Sequence, residues 1–162
     1  MNVFKRSLTV DPTNAVAIFG HIFFRISVGL MIFYIHGLHK LEGWLAYVRE
    51  GKPWTLANEV AGMHFPAPFA SAVAATLVQF ICSLFVVIGL FTRVNAALLV
   101  CVLGGAILQN LLANRDPQLA ILYTLVAITL VFLGSGKFSL DAKVLQKSES
   151  QSISENKSAD EQ

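Results

Sequence analysis

The chain has 162 residues, of which 55% are hydrophobic and 14% charged, and a net charge of +2; its mean hydropathy is +0.63. Soluble domains carry roughly 25% charged residues, so the composition excludes an ordinary soluble domain, and the small net charge gives no basis for nucleic-acid binding. The length fits one domain, residues 1–146, followed by a Ser-, Glu-, Gln- and Lys-rich tail over 147–162 that is too polar to fold alone.

In chain order, residues 1–10 form a short basic lead with Lys5 and Arg6. They do not make a secretory signal. The apolar run starts only after Asp11-Pro12-Thr13-Asn14, exceeds an h-region in length and is interrupted by Arg25. Asp11 suits a helix cap and Pro12 a first turn. A first helix is expected over about 15–35, long enough to cross a bilayer with Arg25 near its middle. His21, Arg25, Gly29, Ile32, His36 and His39 fall on one stripe of a 3.6-residue period. The opposite side carries Ile18, Phe23, Leu30 and Ile35.

Residues 36–67 read as a long interfacial connection between the first two spans. Trp44, Tyr47 and Trp54 suit the headgroup level, and Thr55 could cap a short helix reaching Met63. Pro66 and Pro68 open a second helix over about 69–91, with Gln79 at mid-span. Arg93 and Asn95 mark a tight turn into a third, 94–112. Asp116 and Pro117 start a fourth, 117–133, which Gly134-Ser135-Gly136 stops. Ser139 can then cap a short amphipathic piece. Cys82 and Cys101 lie in apolar runs without CxxC spacing and read as free thiols, a bridge between neighbouring helices being the alternative. The expected architecture is all-α, an integral membrane four-helix bundle.

Four spans put both termini on one side. With the termini inside, that side holds Lys5, Arg6, Arg93, Lys137, Lys143, Lys147 and Lys157; the other holds Lys40, Arg49, Lys52 and Arg115. This bias places both termini in the cytoplasm.

Arg25 is the first candidate functional residue. A cation at mid-span faces a bundle interior, where it is either structural or part of a ligand site. Its expected depth lies within roughly 2 Å of that of Gln79, counted from the helix ends at 1.5 Å per residue, so the two are expected to meet. No Asp or Glu lies within the four spans, which leaves Arg25 as an unbalanced cation. Candidate ligand-binding residues are therefore Arg25, Gln79, His36, Lys40 and His21. His36 and His39 could also share a metal, but Glu42 is the only nearby carboxylate and no Cys is close; no metal site or cofactor is expected from the residues. There is no phosphate loop, nucleophile elbow or haem-attachment motif.

Arg25-x-x-x-Gly29-Leu30 followed by His36-Gly37-x-x-Lys40-Leu41 resembles the first-helix signature of the DoxX family of small membrane proteins. Gly89-Leu90-Phe91-Thr92-Arg93 and Gly134-Ser135-Gly136-Lys137-Phe138-Ser139-Leu140-Asp141 resemble its later motifs. The resemblance covers about residues 18–143. It implies a four-helix protein of the bacterial inner membrane, in a family linked to quinone-coupled thiosulfate oxidation and to redox-stress complexes. The family's helix 2 glutamate is replaced here by Gln79 and its helix 4 glutamate by Gln118. An amide cannot titrate, which argues against proton-coupled chemistry at either position. The expected function is that of a non-catalytic subunit or scaffold of a membrane redox or stress-linked complex. An oxidoreductase subunit handling a quinone or a sulfur species is the alternative, and a small-solute carrier a second one. The implied partners are the lipid bilayer, membrane redox proteins and, as a further option, a second copy of the chain.

Overall fold

Helix α1 runs from Ala15 to Glu50. The structure, a computed structural model, describes residues 15–136 and 139–141; the basic lead, Asp11 and the polar tail lie outside the described residues. At 1.5 Å per residue α1 is about 54 Å long, well beyond a ~30 Å hydrocarbon core. It ends at Gly51, whose φ of 67° lets its N–H return to Tyr47 O at 3.1 Å, the usual left-handed helix stop. The first helix therefore does not end at residue 35. Apolarity runs out there, but His39–Glu50 carries no proline and continues as a half-wet helix. The connection shrinks to residues 51–67 and contains α2, Thr55–Gly62.

Pro68 opens α3, which extends to Ile88. α4 spans Thr92–Leu112 and α5 Gln118–Leu133. α1, α3 and α4 are each long and apolar enough to cross a membrane; α5 is apolar but shorter. The described residues form no strand. Phe23, Leu30 and Ile35 stay exposed on α1, as the stripe pattern requires, along with Leu77, Ile81, Leu84 and Ile88 on α3. On a membrane helix these faces meet lipid.

Two of the long helices widen at matching levels. Ile32–Leu38 of α1 and Val78–Cys82 of α3 are π-helical. They touch through Gly37: a Cβ there would lie 3.1 Å from both Gln79 O and Phe80 Cα. Gly29 makes the same close approach lower down, against Val87 and Ser83 O. Between and below these contacts lies the main core, built from Val28, Ile32, Val86, Ala96, Leu99 and Leu130.

A second core sits at the opposite end. Trp54 is 4% exposed and packs with Leu56 and Ala72. Trp44 stacks on it at 6.4 Å, and Phe69 meets it edge-on at 5.7 Å. Trp54 is thus an internal anchor for α2, while Tyr47 stays exposed beside it. Thr55 is the first residue of α2 and makes no capping bond; Trp54 occupies the cap position in extended conformation.

The turns follow their sequence signals more closely. Gly89 and Leu90 N–H both return to Phe85 O at 2.9 Å, and Asn95 Nδ2 donates to Leu90 O and Phe91 O. Asp116 Oδ1 accepts the Gln118 N–H at 2.9 Å and so opens α5.

Candidate functional site

The sequence-derived candidates separate into two places. Arg25 lies at one end of the bundle, 3% exposed, with its guanidinium over Gly89. A Cβ at Gly89 would stand 2.6 Å from Arg25 Nη1. Arg25 Nη1 donates to Ser135 O. The charge acting on it comes from Asp141, whose carboxylate also accepts Phe91 N–H at 2.8 Å and Thr92 N–H at 3.4 Å at the start of α4. A carboxylate at a helix N-terminus is stabilised there. His21 rests on this floor too, meeting the backbone of Gly134 and lying against Gly136.

Arg25 therefore does not meet Gln79. Antiparallel pairing sets Gly29 against Ser83 and Val87, and Gly37 against Gln79 and Phe80. Arg25 falls level with Gly89, ten residues or about 15 Å along α3 from Gln79. The inner ends of the two apolar runs were the wrong landmark, because Arg25, and not the start of α1, lies level with Gly89 at the end of α3. The cation is also not unbalanced: its counter-charge arrives from beyond α5.

Gln79, His36 and Lys40 come together at the other end. They line a cavity of about 820 Å³ between α1, α3, α4 and α5, with α2 over its mouth. Gln79 is 1% exposed. Its Oε1 and His36 Nε2 are buried atoms that meet no hydrogen-bond partner among the described residues. Both residues sit in the widened π segments, which re-aim side chains relative to a regular helix and recur at functional sites. Tyr123 holds the His36 ring edge-on at 5.1 Å. Glu59 of α2 ties the roof down: Arg115 Nη1 donates to its Oε1 at 2.8 Å and Gln109 Nε2 to its Oε2. One turn below the chamber, Ile32, Leu99 and Ala127 are fully buried and separate it from Arg25. Among the described residues no group of three or more His, Cys, Asp or Glu is placed to hold a metal.

A DoxX family model matches residues 20–113. The chain belongs to the DoxX family. No curated protein and no solved structure matches it. The matched stretch ends at the α4–α5 turn, short of Gly134–Asp141.

In this DoxX protein parts of all three motif stretches converge on one spot. Arg25, the Gly89–Thr92 turn, Ser135 and Asp141 assemble a clamp that fastens α1 to the α3–α4 turn and to the segment after α5. The chamber takes His36 and Lys40 from the first motif and the rest of its wall from elsewhere. Sequence reasoning missed Glu59, Gln109, Arg115 and Tyr123 as members of its wall, and nothing in the sequence marks the π segments. Cys82 and Cys101 are both free, one buried and the other exposed.

Proposed function

We propose that this DoxX protein is the ligand-binding subunit of a membrane redox-linked complex. It crosses the bacterial inner membrane four times with both termini in the cytoplasm, and its chamber faces the outer side. The supporting observation is the pair of orphaned atoms, His36 Nε2 and Gln79 Oε1, in one chamber wall. Leaving a buried polar atom unpaired costs about 1–3 kcal/mol, and a bound molecule removes that cost. A scaffold with a dry core has no use for such a chamber. A carrier needs a path past Arg25, where the core is closed instead.

The chemistry of the lining favours one ligand class. Gln79 Oε1 only accepts, so its partner must bring an O–H or N–H. A sulfur oxyanion brings acceptors alone. A hydroquinone brings hydroxyls for Gln79 Oε1 and His36 Nε2, and Lys40 is at hand for its oxygens. Electron transfer is then assigned to a partner protein, since the sequence holds no haem-attachment or CxxC motif.

Thermal melts in mild detergent test this with a chain-less dimethoxy-methyl hydroquinone and with thiosulfate. At a hundredfold excess over Kd the hydroquinone should stabilise the wild type by about 2.7 kcal/mol and leave Gln79→Leu unmoved. Thiosulfate should shift neither. No shift with the hydroquinone, or an equal one in both proteins, overturns the reading. A mild-detergent pull-down then looks for the redox partner.

A further inference from the structure

Beside the chamber lies a second cavity of about 280 Å³, between the outer halves of α3 and α4 and beneath α2. The two share Lys40, Leu56, Ala106 and Gln109, so the polar room and the second cavity adjoin at these four side chains. The character changes at that junction. The slot beyond it is walled by small and apolar side chains, among them Ala75, Val78, Val102 and Met63. It also opens sideways: Ala74, Cys101 and Gly105 line it and are exposed on the flank of two helices that are apolar enough to span a bilayer. A Cβ at Gly105 would meet nothing within 4 Å, so a side chain can be placed there.

Building on the chamber as a binding site, we propose that its ligand is a membrane amphiphile. The polar head occupies the chamber at His36 and Gln79. The hydrocarbon chain leaves through the slot between α3 and α4 into the bilayer. Lys40 stands at the junction, where its aliphatic stem can follow the chain while its ammonium faces the head. Entry is lateral, from the membrane. Chain burial supplies little affinity, because lipid is as apolar as the slot. The slot instead gives the chain a way out and fixes which way the head faces.

Two hydroquinones with the same head test this, one chain-less and one with a ten-carbon chain. Binding of both is measured to the wild type, to Gly105→Phe and to Ala75→Leu, in lipid nanodiscs. The added side chains take up slot volume that the chain would occupy. Each variant should bind the chain-bearing compound about tenfold or more weakly, about 1.4 kcal/mol, and the chain-less one within about twofold of the wild type. The wild type offers an independent readout. The exposed thiol of Cys101 should react more slowly with N-ethylmaleimide when the chain-bearing compound is present, and at an unchanged rate with the chain-less one. Wild-type affinity in both variants, with Cys101 labelling unaffected, overturns the proposal and leaves the chamber as a binding site for heads alone. If Cys101 is already shielded before either compound is added, the slot belongs to bulk lipid and the proposal fails. If neither compound binds the wild type, the chamber reading falls and the slot falls with it.

Discussion

Gly89→Ala is the sharpest probe of the Arg25 clamp. Gly89 has a φ of 74°, where an L-residue pays roughly 1–2 kcal/mol for crowding its own carbonyl. The new methyl would also stand 2.6 Å from Arg25 Nη1 and 2.7 Å from Ser139 Cβ. Overpacking of that kind costs about 1–3 kcal/mol, so the total destabilisation should be about 2–5 kcal/mol. Gly51→Ala isolates the first contribution. Its φ is 67° and an added Cβ meets nothing within 4 Å, so its cost should stay near 1–2 kcal/mol. Urea or thermal unfolding in mild detergent, followed by circular dichroism, measures both. A double-mutant cycle with Arg25→Met should reveal a coupling of about 1 kcal/mol or more, because the truncated side chain no longer meets the methyl. Equal destabilisation by Gly89→Ala and Gly51→Ala, with no coupling to Arg25, would refute the placement of the guanidinium over this turn.

Three further outcomes are expected. Arg25→Met alone should cost about 1–3 kcal/mol in the same melts, since it strands Ser135 O and removes the countercharge of Asp141; it should leave hydroquinone binding in the chamber intact. Gly37→Val should destabilise by at least the 1–3 kcal/mol of overpacking, because its neighbours at 3.1 Å are backbone atoms of α3 that cannot turn aside, and it should weaken hydroquinone binding by parting the two π segments. In intact cells an impermeant maleimide should label Lys52→Cys and spare Ser148→Cys; the opposite pattern reverses the proposed topology.

Turn chemistry was the part most readable from the sequence. Asp116 opens α5, Asn95 closes the α3–α4 turn, and Gly134 ends α5. The inward stripe from Arg25 to Ile32 was legible because one helical period covers it. The span of α1 was not. Hydropathy marks where a helix leaves the hydrocarbon, while hydrogen bonding decides where it stops, and those two points differ by about fifteen residues here. The misplaced meeting of Arg25 and Gln79 came from a separate assumption, that the inner ends of α1 and α3 are level, whereas Arg25 lies against Gly89. Asp141 as the countercharge could not be read from helix periodicity, because it sits beyond the last span and reaches Arg25 only through the turn it caps. The chamber was half legible. His36, Lys40 and Gln79 stood out as polar residues in apolar surroundings, but the widening of two facing helices leaves no residue signature, and Glu59 gained its role only once Trp54 anchored α2 beneath the aromatic cluster.

The clamp also has a consequence for the order of events during synthesis. Arg25 and the carbonyl it binds are 110 residues apart in the chain, and Asp141 is made later still. At roughly 5–20 residues per second of translation, the arginine waits about 5–20 s in or near the membrane before its acceptors exist. During that interval α1 carries an uncompensated cation and has every reason to sit shallow, with Arg25 drawn toward the headgroups of the nearer leaflet. Synthesis of the Gly134–Asp141 stretch allows α1 to be pulled to its final depth. Gly29 and Gly37 set the register of α1 against α3, so His36 and Gln79 stand level with each other as soon as those two helices pair, and the late event fastens only the Arg25 end. A chain cut short before Gly134 would hold all the residues that line the chamber and lack the anchor at the opposite end.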